Sequence, residues 1–580
     1  MQPAAQRWTP QKPAARGRAG IVAAQAGPAA EAGLAMLEAG GNAADAAVAT
    51  AMALAACEPW NSGLGGIGFA VVQPAGEAKA SIVDFGPVAP AALDPAAFPL
   101  TGQAGADLFG WPEVVGQANI HGPLSPCIPS AVAGLAALHA RWGRLPWREV
   151  LAPAVSLAKA GLLYDWFTLL RVTNEAATLR RYPESARLYL PEGLPSPVAF
   201  PPKRLSLGML PHTLERLAQK GAADFYRGEI AALIVADLQA RGGVLTRADM
   251  AACQARIVPA EEMPWRGGVL QVPGAQTAGP ELCAVLRETE RLAEPEEGGE
   301  LPPAWYAATA RALRQAQADR LGRDGSTTHF CVADAEGGMV ALTTTLLSLF
   351  GSRMVLPLTG ILPNNGVMWF DPRPGARNAI RGGARPVTNM CPVIWRRGAA
   401  PAVAAGASGG RRILPAVTQM LSLVAAAGMD PERAAASPRF DTSEPQHILA
   451  DPRLKREVQL ALAEVAPVTP APAYVSPGLY AAPSLILAEP DGSRTGVADV
   501  TSPWSVALAQ EGGPLAGVTL GTRLAAPMEV SAAAVPARMS RDRRSSPAPR
   551  FRPNRAADAD APQPLPGLNP IDGATDPPDR

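Results

Sequence analysis

The run "GGNAADAAVATAMALAACEP" (residues 40–59) is almost uniformly small and apolar. A helix built from it shows apolar side chains all round, so it reads as a helix enclosed by protein on every side. Asn42 is placed to cap its start and Pro59 to stop it. With 580 residues the chain is long enough for the large core such a helix requires. Its 52 basic and 51 acidic side chains nearly cancel, which argues against nucleic acid or an anionic membrane as the main partner.

Strand and helix patterns are mixed along the chain without regular alternation and without an internal repeat. "GFAVVQ" and "ASIVDFG" read as strands around a "PAGE" turn. "SAVAGLAALHARWG" and "GEIAALIVADLQARGG" read as helices closed by glycine. "RGGVLQVP" is strand-like and "AWYAATARALRQAQADRLG" helical. Next, "THFCVADAEGGMVALTTTLL" reads as a hairpin, and "APAVAAGASGGRRILPAVTQMLSLVAAAG" as strand, glycine turn and helix. Residues 1–18 are expected to be a loose leader and residues 528–580, rich in Pro, Arg, Ser and Asp, a disordered tail. The N-terminus lacks an apolar stretch after its basic residues and no run is long enough to span a membrane, so a cytoplasmic location is the expectation. Cys57, Cys127, Cys253, Cys283, Cys331 and Cys391 are scattered without metal-ligand spacing. Neither a metal nor a cofactor is expected.

Three stretches carry candidate chemistry. "GLGGIG" (63–68) fits a dinucleotide motif, but a helix precedes it and a strand follows, the reverse of what that site requires. It reads as a close-packed glycine turn. "GASGG" (406–410) fits a serine nucleophile elbow at Ser408, with Asp441 and His447 following in order. The alternative is a glycine turn whose free N–H groups open a helix and can hold an oxyanion. The third is "GSTTHF" (325–330). Cutting the Ser326–Thr327 bond would give Thr327 a free α-amine beside its hydroxyl. With an ordinary pKa of about 7.7–8.0, that amine can take the hydroxyl's proton. A three-residue loop Ala335–Glu336–Gly337 puts Gly337 where φ is positive and Thr345 opposite Thr327 on the same face. On the hairpin alone, the favoured reading of Thr327, Thr328 and Thr343 to Thr345 is that of ordinary β-branched strand residues.

The blocks "GIVAAQAGPAAEAGLAMLEAGGNAADAAVATAMALAACEP", "GLGGIGF", "IPSAVAGLAALHARWGRLPWREVLAPAVSLAKAG", "GGVLTRADMAAC", "STTHFCVADAEGGMVALTTTLLSLFGS", "TGILPNN", "RPVTNMCPVI" and "GASGGRRI" occur in the order of one family. Over roughly residues 19–525 the sequence resembles the γ-glutamyltransferases, self-cleaving N-terminal-nucleophile hydrolases. The resemblance implies an α+β fold, a four-layer αββα sandwich. It also implies a large subunit at 19–326 and a small subunit at 327–527, which stay associated after cleavage. Thr327 takes the place of the catalytic threonine, Thr345 of the threonine that orients it, and Gly409 and Gly410 of the oxyanion-hole glycines.

The substrate clamp departs from the family pattern. Gly86 stands where an arginine holds the γ-glutamyl carboxylate, and Met368 where an acidic residue after Asn365 holds its amine. Leu347 stands for an asparagine, Thr388 and Asn389 for paired serines, and the loop before Thr327 is short. Arg353 is a candidate replacement cation, and Met368, Trp369 and Leu347 suggest an apolar acyl pocket. The expected activity is that of an amidohydrolase or acyltransferase on a small-molecule amide, by default a γ-glutamyl compound such as glutathione. The alternatives are an acylase for another acyl group, an α/β-hydrolase using Ser408, and an uncleaved scaffold.

Overall fold

The structure, a computed structural model, describes residues 10–105, 110–292, 300–319, 326–476 and 478–510. Two seven-stranded sheets form its centre. The first runs Val506–Ala509, Ile21–Ala24, Ser326–Ala333, Met339–Leu347, Ile67–Gln73, Ser81–Phe85 and Arg256–Pro259. The second runs Ala15–Gly17, Arg494–Ala498, Ala482–Ala488, Ala400–Ser408, Val393–Arg397, Gly268–Val272 and Glu261–Trp265. Neighbouring strands in both are antiparallel.

Because side chains alternate along a strand, the inner strands of the first sheet feed two cores. Ile21, Phe69, Cys331 and Ala341 meet Ile394, Ala404 and Ile486 of the second sheet in a core between the sheets. Val22, Val72, Phe330 and Val340 point the other way, into the core shared with the helices Gly27–Glu38 and Ala43–Cys57. Val403, Leu485 and Trp395 on the far face of the second sheet pack with Gly279–Thr289, Pro303–Asp319 and Ile413–Leu421. The order helices, sheet, sheet, helices is the αββα sandwich.

All fifteen residues of the helix Ala43–Cys57 are buried. Asn42 caps it, accepting from the N–H groups of Ala44 and Asp45, while Asp45 accepts from the N–H of Asn42. Its location inside a layer explains why small apolar residues dominate it. The expected leader ends too late, however. Ala15–Gly17 pair with Arg494–Gly496, and Arg16 donates to Asp430 at 2.9 Å. This edge strand is too short and polar to betray itself locally; its partners come from the far end of the chain. The expected tail at 528–580 and the short loop before Ser326 lie outside the described residues.

Candidate active site

The hairpin places Thr327. Its loop sets Gly337 at φ 100° and pairs Ala333 with Met339, then continues in register to Thr328 opposite Thr344. Beyond that the register shifts, so that Ser326 faces Leu347. Thr327 therefore lies opposite a bulge in the partner strand, where Thr345 and Leu346 together face it. Thr345 turns its hydroxyl to the N–H of Leu347 at 2.7 Å, and Leu347 takes a left-handed φ of 86°. The structure is that of the uncut chain, in which the Thr327 nitrogen is a peptide amide.

Thr327 lines a cavity of about 600 Å³ with Gln25, Glu58, Arg171, Arg353, Met368 and Gly409 among the other walls. A larger depression of about 740 Å³ around Lys12, Asp430 and Lys455 contains none of the candidate residues. At the end of Ala400–Ser408, Gly409 takes φ 133°, and Gly410 opens a short 3₁₀ turn that runs into Ile413–Leu421. The first N–H groups of such a start have no acceptor within the helix. A Cβ on Gly409 would lie 2.9 Å from the Cα of Ala481, so the turn admits only glycine.

Glu58 sits beneath the strand that carries Thr327. Its carboxyl accepts from the Thr328 hydroxyl at 2.9 Å and from the Asn61 amide at 2.8 Å. Burial raises it to about 7, although both hydrogen bonds pull the other way. The Thr328 hydroxyl also lies 3.1 Å from Gln25 Oε1, and Gln25 Nε2 donates to the Ser408 hydroxyl. His329 is a core residue: it packs between Thr343 (2.9 Å) and Cys331 (3.2 Å), and burial lowers it to about 3. It is a neutral strut rather than a base.

The other sequence candidates divide. Met368 and Arg353 reach the cavity; Asn365, Thr388 and Asn389 are not among its walls. Asn365 ties Ser348 to the Ile120 carbonyl, and Thr388 bonds the Gln276 carbonyl. Arg353 is not the open cation the sequence suggested. Its guanidinium forms a two-pronged ion pair with Glu175 at 3.0 and 3.1 Å and also bonds the Gly351 carbonyl. Gly86 has no room for a side chain, since a Cβ there would come within 2.4 Å of the Phe69 ring. Ser408 reaches the cavity, but neither Asp441 nor His447 does, and Asp441 is engaged with Ser443. "GLGGIG" is a packed turn, with Asn364 bonding the Gly65 carbonyl at 2.8 Å.

Sequence reasoning missed Gln25, Glu58 and Arg171. A signal existed for the first two: each is a single polar side chain closing an apolar run, in "GIVAAQ" and "ALAACE". Arg171 lies in an amphipathic helix, Trp166–Leu179, and nothing in its neighbourhood marks it.

An αββα sandwich with a hydroxyl-bearing residue at the wall of its cavity defines a class, the N-terminal nucleophile hydrolases. The profile of the gamma-glutamyltranspeptidase family matches residues 29–323 and 302–500, and the chain belongs to that family. It is 28% identical to an acylase ACY 1 proenzyme of Pseudomonas sp. (strain V22) over 542 residues, 85% of this chain and 94% of that one. It is 30% identical to a glutathione hydrolase proenzyme of Pseudomonas aeruginosa over 460 residues, 70% of this chain and 79% of that one. A cephalosporin acylase from Bacillus halodurans has the same fold, with a TM-score of 0.76 at 22% identity, over 88% of this chain and 99% of that one. The protein is thus a hydrolytic enzyme. No helix among the described residues is long and apolar enough to cross a membrane.

Proposed function

We propose that the chain cuts itself between Ser326 and Thr327 and then uses Thr327 as the nucleophile of an amidohydrolase. The observation that carries this reading is the place of Thr327, opposite the bulge, on a cavity wall shared with Gly409. In the uncut chain the Thr327 hydroxyl attacks the Ser326 carbonyl and the peptide nitrogen leaves as the Thr327 amine. Water hydrolyses the resulting ester. The freed amine then takes the hydroxyl's proton as the oxygen attacks a substrate amide, and the N–H groups of Gly409 and Gly410 hold the oxyanion. The leaving amine departs with that proton, and water or a second amine releases the acyl group from Thr327. The two halves of the chain stay together because the strands Ile21–Ala24 and Ser326–Ala333 pair across the cut.

The γ-glutamyl donor is the family default, but two observations favour an acylase-type donor. Phe69 fills the space a side chain at position 86 would need, and Met368 is buried where an acid would meet the donor's ammonium. Intact mass on purified protein tests the cleavage: two polypeptides, one beginning at Thr327, support it and a single full-length species refutes it. Making Thr327→Ala and Ser408→Ala separately decides between the nucleophiles. Loss of both cleavage and turnover in the first variant alone is the expected result.

A further inference from the structure

Two strands from different sheets face each other where the cavity opens. Along Ser326–Ala333 the residues alternate, with Cys331 and Ala333 between the sheets and Phe330 and Val332 toward the helices. Along Ala400–Ser408, Ala404 faces that same gap, while Val403, Ala405 and Ala407 face away. His329 stands against Gly406, where a Cβ would come within 2.3 Å of its ring. Two residues further along each strand lie Thr327 and Ser408, both on the cavity wall. Alternation therefore puts the Ser408 hydroxyl on the side of the nucleophile. That hydroxyl accepts from Gln25 Nε2. The Gln25 amide is held in this orientation, because Nε2 also meets the Ala482 carbonyl at 3.3 Å, and a carbonyl only accepts. Its Oε1 faces the Thr328 hydroxyl at 3.1 Å. Ser408 thus spends a lone pair on Gln25, and among the described residues its own proton meets no acceptor. A buried hydroxyl in that state has a donor left for the cavity. The next residue is Gly409, at the start of the glycine turn.

We propose that the Ser408 hydroxyl is a third donor to the oxyanion, beside the N–H groups of Gly409 and Gly410, and that Gln25 is the residue that positions it. When the Thr327 oxygen bonds to the acyl carbon, the carbonyl's π pair moves onto its oxygen. Ser408 donates a hydrogen bond to that oxygen without giving up the proton. The pair returns to the carbonyl as the C–N bond breaks and the amine leaves. Release of the acyl group repeats the sequence, with water or an amine attacking and the Thr327 oxygen leaving. Ser408 forms no covalent bond at any point, which separates this role from that of a serine nucleophile. The inference rests on the reading of Thr327 as nucleophile and adds a catalytic residue to it.

The test uses self-cleaved protein with γ-glutamyl p-nitroanilide, hexanoyl p-nitroanilide and p-nitrophenyl acetate, an activated ester that asks little of the acyl pocket. In Ser408→Ala, kcat should fall by about 10- to 100-fold, at or below the loss on removing one oxyanion donor. Acylation and release both pass through the oxyanion, so both slow together and KM should stay within about threefold of wild type. The loss should be similar for each probe the wild type turns over, because the acyl oxygen is common to all. Gln25→Met frees the hydroxyl to rotate and should give a smaller loss, again in kcat. The double variant should be no slower than Ser408→Ala, since the two residues act as one unit. An unchanged kcat in Ser408→Ala, or a loss carried by KM alone, overturns the inference, and additive losses in the double variant remove Gln25 from it. Should Ser408→Ala stay uncut or fail to fold, Gln25→Met decides: a kcat loss at constant KM supports the role and no loss refutes it. Turnover that survives Thr327→Ala, or a wild type inert toward all three probes, overturns the nucleophile reading and this inference with it. Turnover that needs Thr327 but ignores Ser408→Ala sinks this inference alone.

Discussion

At its closed end the hairpin Ser326–Leu347 is held from several sides. Asp334 Oδ1 accepts from the N–H groups of Glu336 (3.0 Å) and Gly338 (2.8 Å), and Oδ2 accepts from Ala43 at the start of the buried helix (3.0 Å). Arg144 pairs with Glu336 on the outside. At the open end the ladder slips, Leu347 is forced to a left-handed φ, and a carboxyl that prefers its proton lies below. One end spends its polar groups on holding position; the other keeps a hydroxyl, a shifted carboxyl and a cavity together at some cost in regularity. Strain tolerated at a site and supported from elsewhere is a recurring pattern. Here the support is the turn some 20 Å away along the strand, at about 3.3 Å per residue.

The contrast predicts effects of different kinds at the two ends. The largest is at the open end: Thr327→Ala should lower amide turnover by more than about a thousandfold and stop self-cleavage. Its melting temperature should stay close to that of uncut wild type. An active Thr327→Ala would erase the distinction between the ends. Second is Glu58. Its folded pKa, about 7, lies above the ordinary 4.5, so between those values the folded state binds more protons than the unfolded one. Stability from this group is therefore full below pH 4.5 and is lost as pH rises through 7. Glu58→Gln, which keeps the neutral shape, should remove that loss. Unfolding free energies from urea titrations of wild type and variant should draw apart by about 2–3 kcal/mol between pH 5 and pH 8, wild type falling. Parallel curves would show that Glu58 is not held protonated.

Much of this was visible in the residues. The enclosed helix at 43–57 was legible because its side chains are small and apolar all round. The register down to Thr328 was legible because a glycine three residues into a loop fixes which residues face each other. The slip at Thr327 was not, since it depends on what packs around Leu347 rather than on the strands. The edge strand Ala15–Gly17 was hidden for a similar reason: its partners are more than 400 residues away. Arg353 was a candidate replacement cation because it stands where the family usually has a small residue. Only the fold shows Glu175 against it. Charge pairing is a property of the assembled cavity, and no spacing in the chain encodes it.

Two smaller effects belong to the closed end and should leave the chemistry largely alone. Asp334→Ala strands three backbone N–H groups, one of them at the buried helix's start, and should cost about 2 kcal/mol in urea unfolding. Self-cleavage should still occur, because the ladder between Ala333 and Thr328 remains. Gly337→Ala is the finest probe. At φ 100° an alanine is strained, yet a Cβ there meets nothing within 4 Å, so the cost is backbone strain alone. That strain is worth about 1–2 kcal/mol, less the few tenths recovered because alanine restricts the unfolded chain more than glycine does. A drop of that size with turnover kept would mean the turn sets position and no more. Turnover lost in step with such a small drop in stability would mean instead that the geometry at Thr327 is tuned through the whole length of the hairpin, and the two ends would have to be treated as one device.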